Sequence, residues 1–333
     1  MGAVSYIAKR IGLYLAVLFI GLSLTFVLPR LMPVDPVEGY IAQLTSLANV
    51  QYSPEAIVEL RQNLRQLYGL EGSLVEQYFS YLKRVIIDFD FGPSFTYFPQ
   101  PVSDMIRNSL PWTMGLLITA TLISWVLGNA VGIVAGYFDR GRTGAILELV
   151  GILLYPIPYY ILAVLLIMVF GYIIPIFPLT TTFPVGDLTL QKVWTIIYNS
   201  ILPAITIVIA NFGYNILSMK ALSIATKEEP FVVYARLKGT SDRTRMTRYV
   251  FRNALLPQVT ALALQLGVAF NGALLTEIIF SYPGLGLLMR QAATSGDFNV
   301  LYAVITVSII AVATAGLIID LCYPLLDPRI RYR

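Results

Sequence analysis

Six long stretches of the chain contain no aspartate, glutamate, lysine or arginine. They cover residues 11–29, 108–138, 149–186, 193–219, 253–276 and 298–319. Each stretch has at least 19 residues, which is enough to cross about 30 Å of hydrocarbon as an α-helix. We therefore predict an all-α chain with six transmembrane helices. The predicted helices are 10–30, 109–137, 147–173, 198–222, 254–280 and 299–324.

The composition supports a membrane protein. Hydrophobic residues make up 57% of the 333 positions and charged residues 13%, about half the charged fraction of soluble chains. The absence of histidine excludes imidazole bases and imidazole metal ligands. The single cysteine, Cys322, allows no intramolecular disulfide, and we interpret it as a small apolar residue. The first stretch follows Lys9 and Arg10 as a signal peptide would, but it lacks a small-x-small cleavage site, so we expect it to be retained.

The distribution of lysine and arginine predicts the orientation. With both chain ends on the cytoplasmic side, that side carries 15 of the 23 basic residues, eight of them within 220–252. Basic residues accumulate on the cytoplasmic side of membrane proteins. The six spans then leave residues 31–108 outside the cell as one long segment.

This outer segment contains two candidate short helices. Ser53 and Pro54 form an N-terminal helix signal, and apolar residues continue at helical spacing until Gly69. A second apolar stripe indicates a helix that lies on the membrane or over the helix bundle. The stripe consists of Val75, Tyr78, Phe79, Leu82 and Ile86. We interpret both patterns chiefly as packing surfaces, with direct solute contact as the alternative.

The cytoplasmic segment 223–252 predicts a docking helix. Pro230 is placed to begin a helix and Gly239 to end it, and nine residues are too few for a helix that is stable alone in water. Contact with anionic lipid would explain the basic residues of this segment, but not the partly apolar face. That face consists of Phe231, Tyr234, Ala235 and Lys238.

A family resemblance rests on this segment and on further motifs in matching order. Tyr234–Gly239, followed eighteen residues later by Pro257, resembles the EAA loop of ABC importer permeases, in particular the dipeptide/oligopeptide/nickel permease family. Val233 and Tyr234 stand where the broad consensus has Glu and Ala. The other motifs are Asp35–Val37, Tyr68–Leu70, Glu76–Tyr78, Asp90–Ser94, Leu110–Thr113, Phe280–Gly286 and Leu325–Arg329.

The resemblance implies a permease in the cell membrane of a prokaryote, with a core permease domain at about 109–325. It implies four partners besides membrane lipid: a sister permease, two ABC ATPase subunits and an external solute-binding protein, with no nucleic acid. In such an assembly Phe231, Tyr234, Ala235, Lys238 and Gly239 would contact the ATPase. We place the binding-protein contact at Arg61 and Arg65.

The chain itself carries no sign of an enzyme. A Walker loop needs the dipeptide Gly-Lys, which is absent, so ATP and Mg²⁺ would be bound by the partner subunits. We expect no catalytic, cofactor-binding or metal-binding residue in this chain.

Two prolines and three acidic residues bear on a translocation path and on the rival functions. Pro156 and Pro158 are expected to kink the third span, and Glu277 is a further path or gate candidate. Glu148, Glu277 and Asp320 lie at span ends, where we expect water nearby, and no base shares their spans. A proton- or sodium-coupled transporter is one alternative, and a channel or scaffold is another. The resemblance implies peptides as solute, with oligosaccharides or nickel complexes left open.

Overall fold

A computed structural model describes residues 3–31, 36–47, 53–183 and 189–326. This part of the chain is all-helical, as predicted. Its α-helices are α1 Ala3–Arg30, α2 Pro36–Leu47, α3 Pro54–Leu67, α4 Leu74–Lys83, α5 Val102–Tyr137, α6 Arg142–Leu154, α7 Tyr159–Ile167, α8 Leu190–Lys227, α9 Pro230–Leu237, α10 Asp242–Thr244, α11 Arg252–Phe280, α12 Leu285–Ser295 and α13 Phe298–Leu326. π-helical turns at Arg84–Asp88, Met168–Ile173 and Arg245–Phe251 follow α4, α7 and α10.

Within the described residues, four helices are long and apolar enough to cross a membrane. They are Ser5–Leu28 of α1, all of α5, all of α8 and Phe298–Ile318 of α13. A bent pair, Arg142–Leu154 with Tyr159–Ile173, makes a fifth if it is one span. α11 occupies the range expected for the remaining span. The chain is therefore a multi-pass membrane protein, and the count of six spans stays a prediction.

The third predicted span is broken at its prolines. α6 and α7 meet at an angle of 95°, and Pro158 adopts an extended conformation at the start of α7. Proline removes a backbone donor and disfavours the helical conformation of the residue before it. A bend at Pro156 and Pro158 is thus confirmed, but a continuous helix over 147–173 is wrong.

The helices divide between two compact units. The first comprises the residues up to Gly12, residues Pro111–Leu287 and the residues from Val312 onward. α8 is central in it and packs against α6, α7 and α11. α5 also approaches α8 closely: a methyl group at Gly132 would lie 2.7 Å from the carbonyl oxygen of Ile216. Small residues allow such backbone contact between membrane helices.

Polar side chains join the long helices of the first unit. Trp125 of α5 donates its indole N–H to the carbonyl oxygen of Gln258 in α11, at 2.9 Å. The Gln258 amide donates in turn to the hydroxyl of Ser218 in α8, at 2.8 Å. About two turns further along α11, Gln265 donates to Asn215 of α8, at 2.8 Å. These bonds stabilise one arrangement of α5, α8 and α11.

Two acids at the predicted span ends are paired with bases from other helices. Lys220 of α8 contacts the carboxylate of Glu148 in α6. Arg10 of α1 lies 3.0 Å from Asp320 of α13. Because each partner lies on a different helix, a search along single spans could not find these pairs.

The second unit comprises Leu13–Leu110 and Leu288–Ala311. Val37, Ile41 and Leu64 form a small core between α2 and α3. The expected start of α3 is confirmed, since the Ser53 hydroxyl accepts from the backbone N–H of Ala56 at 3.2 Å. The expected stop at Gly69 is confirmed by its positive φ of 65°.

The motif Asp90–Ser94 belongs to the same unit and is fixed to the start of α13. The side-chain amide of Asn299 donates to the carbonyl oxygens of Phe91 and Pro93, each at 2.8 Å. Of the other motif residues, Asp35, Asp327, Pro328 and Arg329 lie outside the described residues, as does the side chain of Cys322.

Candidate functional site

The candidate docking helix forms where the sequence predicts it. α9 begins at Pro230, directly after α8 ends at Lys227, and it ends at Leu237. Proline suits the first helical position because the N–H it lacks would have no partner there. The helix has eight residues rather than nine, with Lys238 as its C-terminal cap.

Gly239 stops α9 in the expected way. Its φ is 76°, a conformation that costs side chains with a Cβ atom far more than glycine. The N–H of Gly239 donates to Arg236 at 3.0 Å, and the N–H of Thr240 donates to Ala235 at 3.2 Å. This pair of bonds is the Schellman pattern that satisfies the last carbonyl groups of a helix.

One face of α9 packs on its own chain. Val232 and Ala235 are each 4% exposed. Val232 belongs to a core cluster with Ile133 of α5 and Met219 of α8, and the π-helical turn before α11 contributes Val250. α9 is therefore held by helices of the first unit and does not rely on its own eight residues for stability.

The opposite face of α9 is apolar and open. Phe231 is 41% exposed, Tyr234 59% and Leu237 80%. Val233 is also exposed. The ammonium group of Lys238 lies 4.7 Å from the centre of the Tyr234 ring, so a cation and an aromatic ring stand side by side on this surface. Exposed apolar patches of this kind mark contact sites for other proteins or for membranes.

Polar contacts fix the backbone on both sides of α9. The Tyr137 hydroxyl donates to the carboxylate of Asp242 at 2.8 Å and accepts from Arg245 at 3.2 Å. These two neighbours hold the pKa of Asp242 below its usual value. Before α9, Lys227 donates to Asp139, which lowers the pKa of that carboxyl group as well.

The structure changes the expected docking face in two respects. Ala235 was expected to meet the ATPase, but it is buried against this chain's own helices. Val233 and Leu237 were not expected on the face, yet both point outward. Phe231, Tyr234 and Lys238 remain on the outer side. Because residues 230–237 are mostly apolar, the sequence could have suggested Val233 and Leu237 as further members of an apolar surface.

The path candidates lie at two different places in the first unit. Next to Pro158, the hydroxyl of Tyr159 donates to Asn211 of α8 at 2.8 Å. Glu277 lies near the end of α11, where its carboxylate accepts from the backbone N–H of Gly286 at 2.7 Å. Glu277 is fully buried, so its place at a span end does not expose it to bulk solvent. It orders the turn between α11 and α12.

The two arginines expected to meet a binding protein differ in their surroundings. Arg61 of α3 forms a bidentate ion pair with Glu38 of α2. Its Nε and Nη2 atoms lie 2.5 and 3.0 Å from the two carboxylate oxygens. Arg65 is exposed one turn further along α3. The guanidinium group of Arg61 thus joins α3 to α2.

Comparison with known proteins identifies the family. Residues 128–332 match the model of the binding-protein-dependent transport system inner membrane component. The chain belongs to this family. The match includes α9 together with α8, α11 and α13, so the candidate docking helix lies inside the family's common region.

Curated relatives extend the similarity over almost the whole chain. A putative peptide transport system permease protein of Brucella abortus is 30% identical, covering 98% of each chain. The dipeptide transport system permease protein DppB of Lactococcus lactis is 27% identical, covering 98% of this chain and 99% of its own. The glutathione transport system permease protein GsiC of Escherichia coli is 27% identical, covering 99% of each. The chain is thus an ABC importer permease of the peptide/nickel family.

Proposed function

We propose that this chain forms half of the translocation path of an ATP-driven importer for dipeptides or oligopeptides. The names of the relatives support a peptide as solute and give no support to an oligosaccharide. The other half of the path would come from a sister permease. Two ABC ATPase subunits would bind ATP and Mg²⁺, and an external solute-binding protein would deliver the peptide.

The observation that carries the proposal is the two-sided character of α9. Its inner face is packed into the chain by Val232 and Ala235, whereas Phe231, Tyr234 and Leu237 present apolar surface outward. A fixed helix with open aromatic residues can enter a groove on another protein without losing much conformational freedom. Movement of the ATPase would then reach α8 directly, because α8 ends at Lys227 and α9 begins at Pro230.

Transport by the reconstituted assembly tests the proposal. Permeases, ATPases and binding protein are placed in liposomes, and peptide uptake is measured with ATP, without ATP, and with an ion gradient alone. We expect uptake that requires ATP and the binding protein and that is unaffected when the gradient is collapsed. Gradient-driven uptake without ATP would establish the ion-coupled alternative instead.

The proposed topology has six spans, both chain ends in the cytoplasm and residues 31–108 outside the cell. Gln62 is exposed on α3 and suits a labelling test. In a protein whose Cys322 is replaced by alanine, Gln62→Cys should react with an impermeant maleimide in intact cells. Reaction only after lysis would reverse the orientation.

A further inference from the structure

α4 has three distinct faces. Its inner face carries Gln77, Tyr78 and Tyr81, which contact the rest of the second unit. A second face is apolar and open: Val75 is 64% exposed, Phe79 63%, and Ile86 in the following turn 58%. The third face is polar and exposed, with Glu76, Ser80 and Lys83. None of the described residues of this unit covers the apolar face.

The contacts between α4 and α1 show at which depth α4 lies. The Arg30 guanidinium donates to the side chain of Gln77 at 2.9 Å. The next residue of α4, Tyr78, shares a hydrogen bond of 2.7 Å with Ser23. Ser23 lies seven residues before Arg30, about 10 Å deeper along α1, within the apolar span Ser5–Leu28. α4 therefore crosses α1 at the end of a membrane span.

These two contacts also fix how α4 is rotated. Successive residues of a helix point about 100° apart. Gln77 points toward Arg30 at the end of the span, and Tyr78 points toward Ser23 inside it. Around the helix axis, Val75 and Phe79 lie beyond Tyr78, on the side away from Gln77. They therefore face the middle of the span. Ser80, on the other side, faces away from it.

We propose that α4 lies in the membrane interface with its apolar face among the lipid acyl chains. The lipid monolayer is the partner of Val75, Phe79 and Ile86, and the polar face meets the headgroups and water. An apolar face beside a charged or polar one is the pattern of helices that lie in this plane. α4 keeps its own start, because Ser73 and Glu76 cap it reciprocally, with bonds of 2.7 and 3.3 Å.

Lipid contact can be measured in the complete transporter. In the Cys322→Ala background, Val75→Cys, Phe79→Cys and the control Ser80→Cys are each labelled with a bimane fluorophore. The labelled assemblies are reconstituted in ordinary liposomes and in liposomes with brominated acyl chains, which quench on contact. We expect the labels at positions 75 and 79 to lose most of their fluorescence and the label at position 80 to keep most of it.

Three other results would overturn the proposal. Equal quenching at positions 75 and 80 would contradict the proposed orientation of α4. Unquenched labels at 75 and 79, with cysteines that react as fast as Ser80→Cys toward an impermeant reagent, would place this face in water. Unquenched labels whose protection depends on the binding protein or the sister permease would give the face a protein partner. Each variant must retain ATP-dependent uptake; if Phe79→Cys does not, Ile86→Cys replaces it on the same face.

Discussion

The hydroxyl of Ser94 donates to the carboxylate of Asp297, a residue 203 positions later in the chain. The same carboxylate accepts the backbone N–H groups of Thr96 at 3.0 Å and Val300 at 3.2 Å. Asp297 is buried and directly precedes α13. It therefore caps α13 and fixes the motif Asp90–Ser94 against the start of that helix.

Replacing Asp297 should destabilise the second unit. Asp297→Ala removes the acceptor and leaves buried donors without a partner, at a cost of about 1–3 kcal/mol for each unsatisfied group. Asp297→Asn keeps an oxygen acceptor, so its loss should be smaller. The measurement is the unfolding temperature of the purified permease pair in detergent. Equal losses for the two variants would show that the hydrogen bonds contribute little.

Truncating the aromatic residues of α9 should uncouple the transporter. Phe231→Ala with Tyr234→Ala removes apolar surface worth about 1.5–3 kcal/mol for each buried side chain. We expect weaker co-purification of the ATPase and loss of solute-stimulated ATP hydrolysis, with an unchanged unfolding temperature. Val232→Ala is the matched control on the inner face, where a cavity lowers stability instead. Normal ATPase binding by the double variant would contradict the docking role.

Gly239 should tolerate asparagine better than valine. Its φ of 76° is difficult for a β-branched residue but accessible to asparagine. No atom lies within 4 Å of the position that a Cβ would take, so backbone conformation decides the outcome and crowding does not. We expect Gly239→Val to impair uptake and ATPase co-purification while membrane insertion stays normal. Gly239→Asn should retain most of both activities, and a reversed order would refute the argument.

Charge reversal at α3 should separate docking from local stability. Arg65→Glu should slow the encounter with the binding protein, with an effect that fades at high salt, because exposed charges act mainly on association. Arg61→Glu should also disturb α2, since it places two carboxylates together at Glu38. Association rates at two salt concentrations test the first effect, and the unfolding temperature tests the second. If Arg65→Glu leaves the association rate unchanged, Arg65 is not part of the contact with the binding protein.

Local signals in the sequence predicted much of the fold. The cap at Ser53, the proline at Pro230 and the stop at Gly239 each act within a few residues, so they can be found by reading along the chain. The break in the third predicted span also has a local cause in its two prolines. Its angle of 95° depends on packing against α8, which no single segment reveals.

Other features depended on contacts between distant residues. The bond between Ser94 and Asp297 could not be found from either segment alone. The sequence also did not distinguish the inner face of α9 from its outer face, for a different reason. Both faces are apolar, and helical spacing shows which residues share a face but not which face packs against the chain. Ala235 was therefore placed outside, and Leu237 was missed.

α8 has 38 residues, which corresponds to a rod about 57 Å long. One end adjoins α9, and the other is at Leu190. A tilt of about 5° with the α9 end held displaces the far end of a straight rod of this length by about 5 Å. Pro203, within the same helix, divides it into a longer arm beside α9 and a shorter one. Straightening or bending there changes the displacement at Leu190 without altering the arm that adjoins α9.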